Sequence, residues 1–155
     1  MPEKLRRAQD EYAELRDAAG AGTLRYATTV EDAVQHADLA IDFVPDELES
    51  KLEIFSLLDR MAPPRTILCT PTTAQSITDL ASCTYRSERC VGLRGPTLLT
   101  GSVEVIVSKF ADAGVVKVVV DLLTALGVVV SVIDDPLEPM LMKNQIIPFG
   151  GVKEA

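Results

Sequence analysis

Three short segments carry side chains that could do chemistry, and each follows an apolar run typical of a buried strand. An acid lies in residues 45–47, two adjacent hydroxyls lie in residues 71–75, and residues 94–100 begin with a guanidinium. If these strands are parallel, their carboxyl ends meet at one edge of a sheet, where loops leave main-chain groups free for a ligand. The structural alternative is that the hydroxyls only cap the next helix and the arginine only pairs with surface carboxylates.

The cysteines and the histidine do not predict a metal site. Cys69, Cys83 and Cys90 form no C-x-x-C pair, and His36 is the one imidazole available. An odd number of isolated cysteines fits a reducing cytoplasm, and the apolar surroundings of Cys69 predict that it is buried. We therefore interpret the cysteines as structural.

Length and composition predict one soluble globular domain. The chain has 155 residues, of which 47% are hydrophobic and 25% are charged, so it can form a packed core. The net charge of −8 argues against nucleic acid and anionic membrane surfaces as partners. The apolar runs are too short for a membrane span, and the charged N-terminus resembles no signal peptide.

Apolar periodicity predicts an alternation of helices and strands. The helices are expected at residues 3–19, 30–35, 47–62, 76–81 and 111–126. The strands are expected at residues 24–28, 39–44, 66–70, 90–93, 103–107 and 128–133. Asp46 with Glu49, and Ser76 with Asp79, have the spacing of capping boxes at two helix starts. The order predicts an α/β fold with a doubly wound, mostly parallel sheet of at least four strands.

Four ordered motifs resemble the NAD-binding domain of the 3-hydroxyacyl-CoA dehydrogenases. They are A-D-L-A-I-D-F-V-P-D-E-L-E-S-K at 37–51, R-T-I-L-C-T-P-T-T-A-Q-S-I-T-D-L-A at 65–81, S-E-R-C-V-G-L-R at 87–94 and V-E-V-I at 103–106. The resemblance covers residues 24–135 and implies a Rossmann-like domain over 1–135, incomplete at its N-terminal end. Residues 136–155 would begin a linker or a C-terminal domain.

The resemblance implies roles for several side chains. Asp46 matches a glutamate near the nicotinamide ribose, and Lys51 matches a lysine that contacts the cofactor. Their structural alternatives are a helix cap for Asp46 and a solvated helix face for Lys51. Thr73 matches a serine that touches cofactor and substrate, and Glu104 matches the carboxylate that orients the catalytic histidine.

The catalytic histidine itself is replaced by Arg94, in the sequence G-L-R-G-P where the family has G-L-H-F-F-N-P. A guanidinium stays charged and cannot accept a proton, although it can bind a carboxylate or polarise a carbonyl. Pro71 replaces an asparagine of the family turn, and His36 precedes a strand at its opposite end. We therefore expect no dehydrogenation of 3-hydroxyacyl-CoA above background, although Arg94 should lie within reach of Glu104.

The family's glycine-rich phosphate turn is also missing from this chain. Gly20-x-Gly22 is the nearest match, but it follows a helix and has no third glycine. Asn144 loosely matches a substrate-contacting asparagine of the family. We expect NAD as the cofactor of the full-length family member and weak or absent NAD binding by these 155 residues alone.

Two hypotheses follow from the resemblance. The first is a cytoplasmic, homo-oligomeric oxidoreductase of fatty acid metabolism, with an acyl-CoA or a small hydroxy acid as substrate. The second is a catalytically inactive homologue that serves as a binding or dimerisation module. In a dinucleotide fold the missing first strand would pair with residues 39–44, so we also expect an exposed apolar sheet edge there.

Overall fold

A computed structural model describes residues 2–16, 20, 22–95 and 101–141 of the chain. Its centre is a five-stranded sheet in the order β1-β2-β3-β4-β5. The strands are β1 (Leu39–Ile41), β2 (Ile67–Pro71), β3 (Cys90–Arg94), β4 (Ser102–Val107) and β5 (Val129–Asp134). The first three strands are parallel, β4 runs antiparallel to β3, and β5 runs parallel to β4. This architecture confirms the predicted α/β fold with a mostly parallel, Rossmann-like sheet.

Helices cover both faces of the sheet, as a doubly wound fold requires. The described residues form the helices α1 (Pro2–Leu15), α2 (Val30–Val34), α3 (Leu48–Met61), α4 (Ile77–Ser82) and α5 (Ala113–Ala125), with a 3-10 turn at Ser87–Arg89. On one face α2, α3 and α4 bury a core that includes Phe55, Leu68 and Ile77. On the other face α5 packs Val115, Val119 and Leu123 against the inward valines of β3 and β4. Apolar burial on both faces is what makes the central strands nearly continuous hydrophobic runs.

Two predicted strands are corrected by the structure. Residues 24–28 form no strand, because they have no pairing partner in the sheet, and β-propensity alone does not form one. The strand predicted at 39–44 ends at Ile41, where the side chain of Asp42 accepts a hydrogen bond from the main chain of Val44 and turns the backbone. The first helix also ends at Leu15, earlier than predicted; residues 17–19 lie outside the described part.

The predicted capping box at Asp46 is wrong, whereas the cap at Ser76 is confirmed. Glu47 occupies the N-cap position of α3 and makes no side-chain cap bond. Ser76 accepts a hydrogen bond from the main-chain N–H of Asp79, as its position before α4 predicts. The carboxylate of Asp79 does not complete the local box, since it accepts the N–H groups of Met140 and Leu141 instead.

Two carboxylates fix the segment after β5 to α4. One of them, Asp135, lies in the segment and binds α4, and the other, Asp79, lies on α4 and binds the segment. Asp135 accepts the hydroxyl of Ser76 and the N–H of Thr78, at distances of 2.6 and 2.9 Å, and so caps the start of α4. Asp79 of α4 in turn accepts the N–H groups of Met140 and Leu141 at 2.6 and 3.0 Å. The chain therefore leaves the sheet along a path defined by hydrogen bonds to α4.

Strand β1 lies at one edge of the sheet, with no strand of the described residues on its free side. Ile41 and Phe43 are 36% and 76% exposed there. A groove of about 270 Å³ beside β1 is lined mainly by apolar side chains of α2, α3 and β1. Within the described ranges, no helix is long and apolar enough to cross a membrane.

Candidate functional site

The carboxyl ends of β1, β2 and β3 meet at one edge of the sheet, and the predicted site residues gather there. Pro71 lies beside Leu93 in the register of β2 and β3, and the N–H of Thr72 donates to the carbonyl of Leu93. Arg94 is the register partner of Glu104 on β4. The turn after β2 therefore lies next to the arginine that ends β3.

Asp46 links the loop after β1 to the turn after β2. Its Oδ1 accepts the hydroxyl of Thr72 at 2.6 Å, and its Oδ2 accepts the N–H groups of Thr73 and Ala74 at 2.8 and 3.1 Å. Burial alone would raise the pKa of this carboxyl, but the hydrogen bonds from Thr72, Thr73 and Ala74, together with the charge of Lys51, lower it below its usual value of 3.8. Asp46 is thus a charged group that holds the turn carrying Thr73.

Lys51 makes a second link between the end of β1 and the end of β2. Its Nζ donates to Asp42 Oδ1 at 2.8 Å and to the carbonyl of Pro71 at 2.9 Å. The side chain of Lys51 is 1% exposed, so the alternative of a solvated helix face is wrong. The buried amine connects the end of β1 to the end of β2, directly below the turn that Asp46 holds.

Asp42 is a functional candidate that motif matching did not single out. Its side chain is 1% exposed, and its Oδ2 has no hydrogen-bond partner among the described residues. The hydroxyl of Thr70, on the next strand, is also buried without a partner there. The sequence does carry a signal, because Asp42 is the single charged residue in the apolar run at 39–44. A buried charge in such a run requires a partner, here Lys51.

Arg94 and Glu104 form the contact that the family resemblance predicts. Arg94 Nε donates to Glu104 Oε2 at 2.5 Å, and the two side chains are 34% and 38% exposed. Their registered positions on antiparallel strands put both side chains on the same face of the sheet. Among the residues that the structure describes, the end of β3 therefore presents an oriented cation, and the carboxylate paired with it is the proton acceptor there.

The remaining predicted site residues lie elsewhere. His36 lies between α2 and β1, at the amino end of β1 and away from this edge, as predicted. Asn144 lies outside the described residues. Cys69 is buried, as predicted, and all three cysteines are free thiols. No group of metal-binding side chains is found in the part of the chain that the structure describes.

The described residues do not fit a pyrophosphate. Gly20 and Gly22 follow helix α1 rather than a strand, and a Cβ atom added to either would meet nothing within 4 Å. No backbone packs closely at these glycines, so they do not form the tight turn that a phosphate requires. The described residues do offer polar groups for another part of a ligand at the carboxyl ends of β1 to β3, namely those of Asp46, Thr73 and Arg94.

This fold, with polar groups gathered at the carboxyl ends of its parallel strands, defines a Rossmann-like nucleotide-binding domain. The family described as 3-hydroxyacyl-CoA dehydrogenase, NAD binding domain, matches residues 3–135. The chain belongs to this family, whose cofactor is NAD.

Similar proteins include dehydrogenases from several bacteria. A probable 3-hydroxybutyryl-CoA dehydrogenase of Bacillus subtilis is 39% identical over 80 residues, which is 50% of this chain and 28% of that protein. A 5-formyl-3-hydroxy-2-methylpyridine 4-carboxylate 5-dehydrogenase of Mesorhizobium japonicum is 28% identical over 84% of this chain and 42% of its own length. The crystal structure of the 3-hydroxybutyryl-CoA dehydrogenase of Escherichia coli K12 has a TM-score of 0.71 and 29% identity, covering 87% of this chain and 32% of that one. The chain thus spans less than half the length of these relatives.

Proposed function

We propose that the natural protein containing this chain is an NAD-dependent oxidoreductase that acts on a 3-hydroxyacyl-CoA or a related hydroxy acid. The observation that carries the proposal is the convergence of Asp46, Thr73, Arg94 and Glu104 on one edge of a sheet that belongs to an NAD-binding family. The dehydrogenases to which the chain is similar support the same activity class.

Each residue at the edge has a proposed role in this function. Thr73, exposed on a turn held by Asp46, would contact the cofactor and the substrate. Asp46 would lie on the ribose side of the nicotinamide, and Lys51 would act from below by positioning both loops. Bound NAD would accept or donate a hydride, whereas Arg94 and Glu104 would orient the substrate. Asn144 remains a proposed substrate contact.

The replacement of a proton acceptor by Arg94 favours a second candidate, a homologue that binds ligands without catalysis. The two candidates differ in hydride transfer. The test is to titrate the full-length natural protein with NADH and then to follow NADH formation with 3-hydroxybutyryl-CoA and with 3-hydroxybutyrate. Turnover of either substrate supports the oxidoreductase, NADH binding without turnover supports the binding module, and a protein that does neither overturns the proposal.

We also propose a cytoplasmic location and a homo-oligomeric assembly. The free thiols favour a reducing compartment, because Cys83 is exposed and unpaired. The unpaired edge of β1 favours association with a further strand. Fractionation of cells and sedimentation of the purified natural protein test these two points directly.

A further inference from the structure

Arg94 uses one of its donors to bind Glu104 and leaves the others available. The contact to Glu104 Oε2 is made by Nε, at 2.5 Å. Within the described residues, Nη1 and Nη2 of Arg94 make no hydrogen bond. Since the side chain is 34% exposed, a ligand at the edge of the sheet can reach these terminal nitrogens.

Glu104 fixes the direction in which the free donors point. A guanidinium is planar, so a hydrogen bond to Nε also limits the orientation of Nη1 and Nη2. The two residues lie directly opposite each other on paired strands, which restrains both backbones. The guanidinium is therefore held before a ligand arrives, and less rotamer freedom is lost on binding.

The other acid at this edge does not compete for Arg94. Asp46 is held by Thr72, Thr73 and Ala74, and no contact joins it to Arg94. An anion bound to the terminal nitrogens would lie closer to the guanidinium than to Glu104. Because Coulomb attraction and repulsion both fall with distance, the attraction exceeds the repulsion from Glu104.

We propose that Arg94 binds a carboxylate group of the substrate, so that the site selects a free hydroxy acid rather than its neutral thioester. Two parallel N–H donors match the two oxygens of a carboxylate, and such charge-assisted bonds are stronger than bonds to a neutral carbonyl. Arg94 is then a specificity-determining residue. The proposal rests on the proposed function in one respect, that the carboxyl ends of the strands face the substrate. Its test, however, does not measure turnover.

The test measures how fast phenylglyoxal, a reagent that attacks arginine side chains, modifies Arg94 in the full-length natural protein. Peptide mass spectrometry follows Arg94 and Arg65 in the same sample. Arg65 is a matched control, since it also pairs with one carboxylate through Nε, that of Asp38, but lies at the start of β2 and away from the proposed site. The ligands are 3-hydroxybutyrate and its neutral amide, at equal ionic strength.

We expect 3-hydroxybutyrate to slow the modification of Arg94 in a saturable way, with no effect of the amide and no effect on Arg65. Equal slowing of both arginines would show ionic screening only and overturns the proposal. No slowing of Arg94, or equal slowing by acid and amide, overturns it as well. If protection is found but hydride transfer is absent, the proposed oxidoreductase fails while the carboxylate site stands.

Variants provide a second measurement. Calorimetric titration with 3-hydroxybutyrate should show a loss of affinity of about tenfold to a hundredfold in Arg94→Gln, the range expected for losing a hydrogen bond to a charged group. Arg94→Lys keeps the charge without the planar pair of donors. Its affinity for 3-hydroxybutyrate should lie between those of the unmodified protein and Arg94→Gln. Arg65→Gln should bind like the unmodified protein. Unchanged affinity in folded Arg94→Gln would contradict the proposal.

Discussion

At the scale of single residues, Asp46 and Arg94 both carry charges that protein partners hold in place. Asp46 accepts three hydrogen bonds from the turn after β2, and these lower its pKa despite partial burial. Arg94 pairs with Glu104 and keeps donors for a ligand. The charge of Asp46 thus holds the turn after β2 in place, whereas the charge of Arg94 is available to bind a ligand.

Asp46→Asn should destabilise the fold by about 1–2 kcal/mol near neutral pH, since the charged acceptor of two main-chain N–H groups is weakened. A lowered pKa in the folded state means that this stability is present above pH 3.8 and is lost as the pH falls through the lowered pKa. Urea unfolding from pH 7 to pH 2.5 should show a constant difference between the two proteins that shrinks below about pH 3.8. A difference that grows in acid would contradict this assignment.

Because Arg94 favours a free hydroxy acid over its thioester, the unmodified natural protein should show no dehydrogenation of a short-chain 3-hydroxyacyl-CoA above background, and Arg94→His should restore little of it. Pro71 and the residues Gly95-Pro96, which stand where the resembled family has F-F-N-P, also change the surroundings of the histidine, and a misplacement of about 1 Å can cost a hundredfold in rate. The measurement is NADH formation. Turnover of about 10 per second in the unmodified protein, a typical enzyme rate, would show that Arg94 is compatible with that reaction.

At the scale of the elements, the loops after β1 and β2 act as one unit because Lys51 and Asp46 connect them. Lys51→Met leaves the carboxylate of Asp42 buried without its cation, which should cost about 3–5 kcal/mol. Arg65→Gln breaks an exposed pair with Asp38 and should cost less than about 1 kcal/mol. Urea unfolding measures both variants. Equal small losses would show that the buried pair does not hold the loops.

The reactivity of the cysteine thiols reports on the packing of β2 and β3, which carry Cys69 and Cys90. Burial raises the pKa of Cys69 and of Cys90 to about 12, so neither forms a reactive thiolate in the folded state. Cys83, after α4, is exposed. Ellman's reagent should therefore titrate one thiol in the folded chain and all three in urea. Rapid reaction of a second thiol under native conditions would mean that the sheet opens.

Apolar runs and capping spacings predicted those helices and strands that depend on residues close together in the sequence. Strands β2 and β3 and helix α4 begin or end within one residue of their predicted bounds, since apolar runs and the Ser76 cap depend on neighbours in sequence. The partners of Asp46 lie 26–28 residues away and those of Lys51 9 and 20 residues away. Spacing rules for helix caps do not include such contacts, which explains why the capping box was wrong. The contact of Arg94 with Glu104 was predicted from the family resemblance, which matches the two residues to the catalytic histidine and the carboxylate that orients it. Their exact register depends on the antiparallel pairing of β3 and β4, which the apolar runs do not predict.

At the scale of the whole molecule, the sheet has polar loops at the carboxyl ends of β1 to β3, and the outer side of β1 pairs with no other strand of the described residues. Asp46 and Thr73 can supply contacts near a nicotinamide, but Gly20 and Gly22 form no phosphate turn. Residues 1–155 alone should therefore bind NAD weakly or not at all. Calorimetric titration at micromolar protein tests this, with the full-length natural protein as the control. Micromolar affinity in residues 1–155 would contradict it.

The free edge of β1 predicts that residues 1–155 self-associate or are kept soluble by a further segment or a partner. Ile41 and Phe43 are exposed beside main-chain groups of β1 that pair with no strand of the described residues, a combination that recruits further strands. Ile41→Lys should shift sedimentation at tens of micromolar toward the monomer. Tyr85→Lys removes an even more exposed apolar side chain, 99% exposed and away from this edge, and should change nothing. An ideal monomer in the unmodified chain would refute the prediction.

The two carboxylates that join α4 to the segment after β5 also determine how the domain bears a mechanical load. A pulling force applied beyond Leu141 first meets Asp79, whose two oxygens accept the N–H groups of Met140 and Leu141, so that two hydrogen bonds oppose the force. The load then passes to Asp135, which is bonded to the start of α4, and only afterwards to the ladder of β5. Helix α4 therefore shields the edge strand β5 from being peeled away from β4.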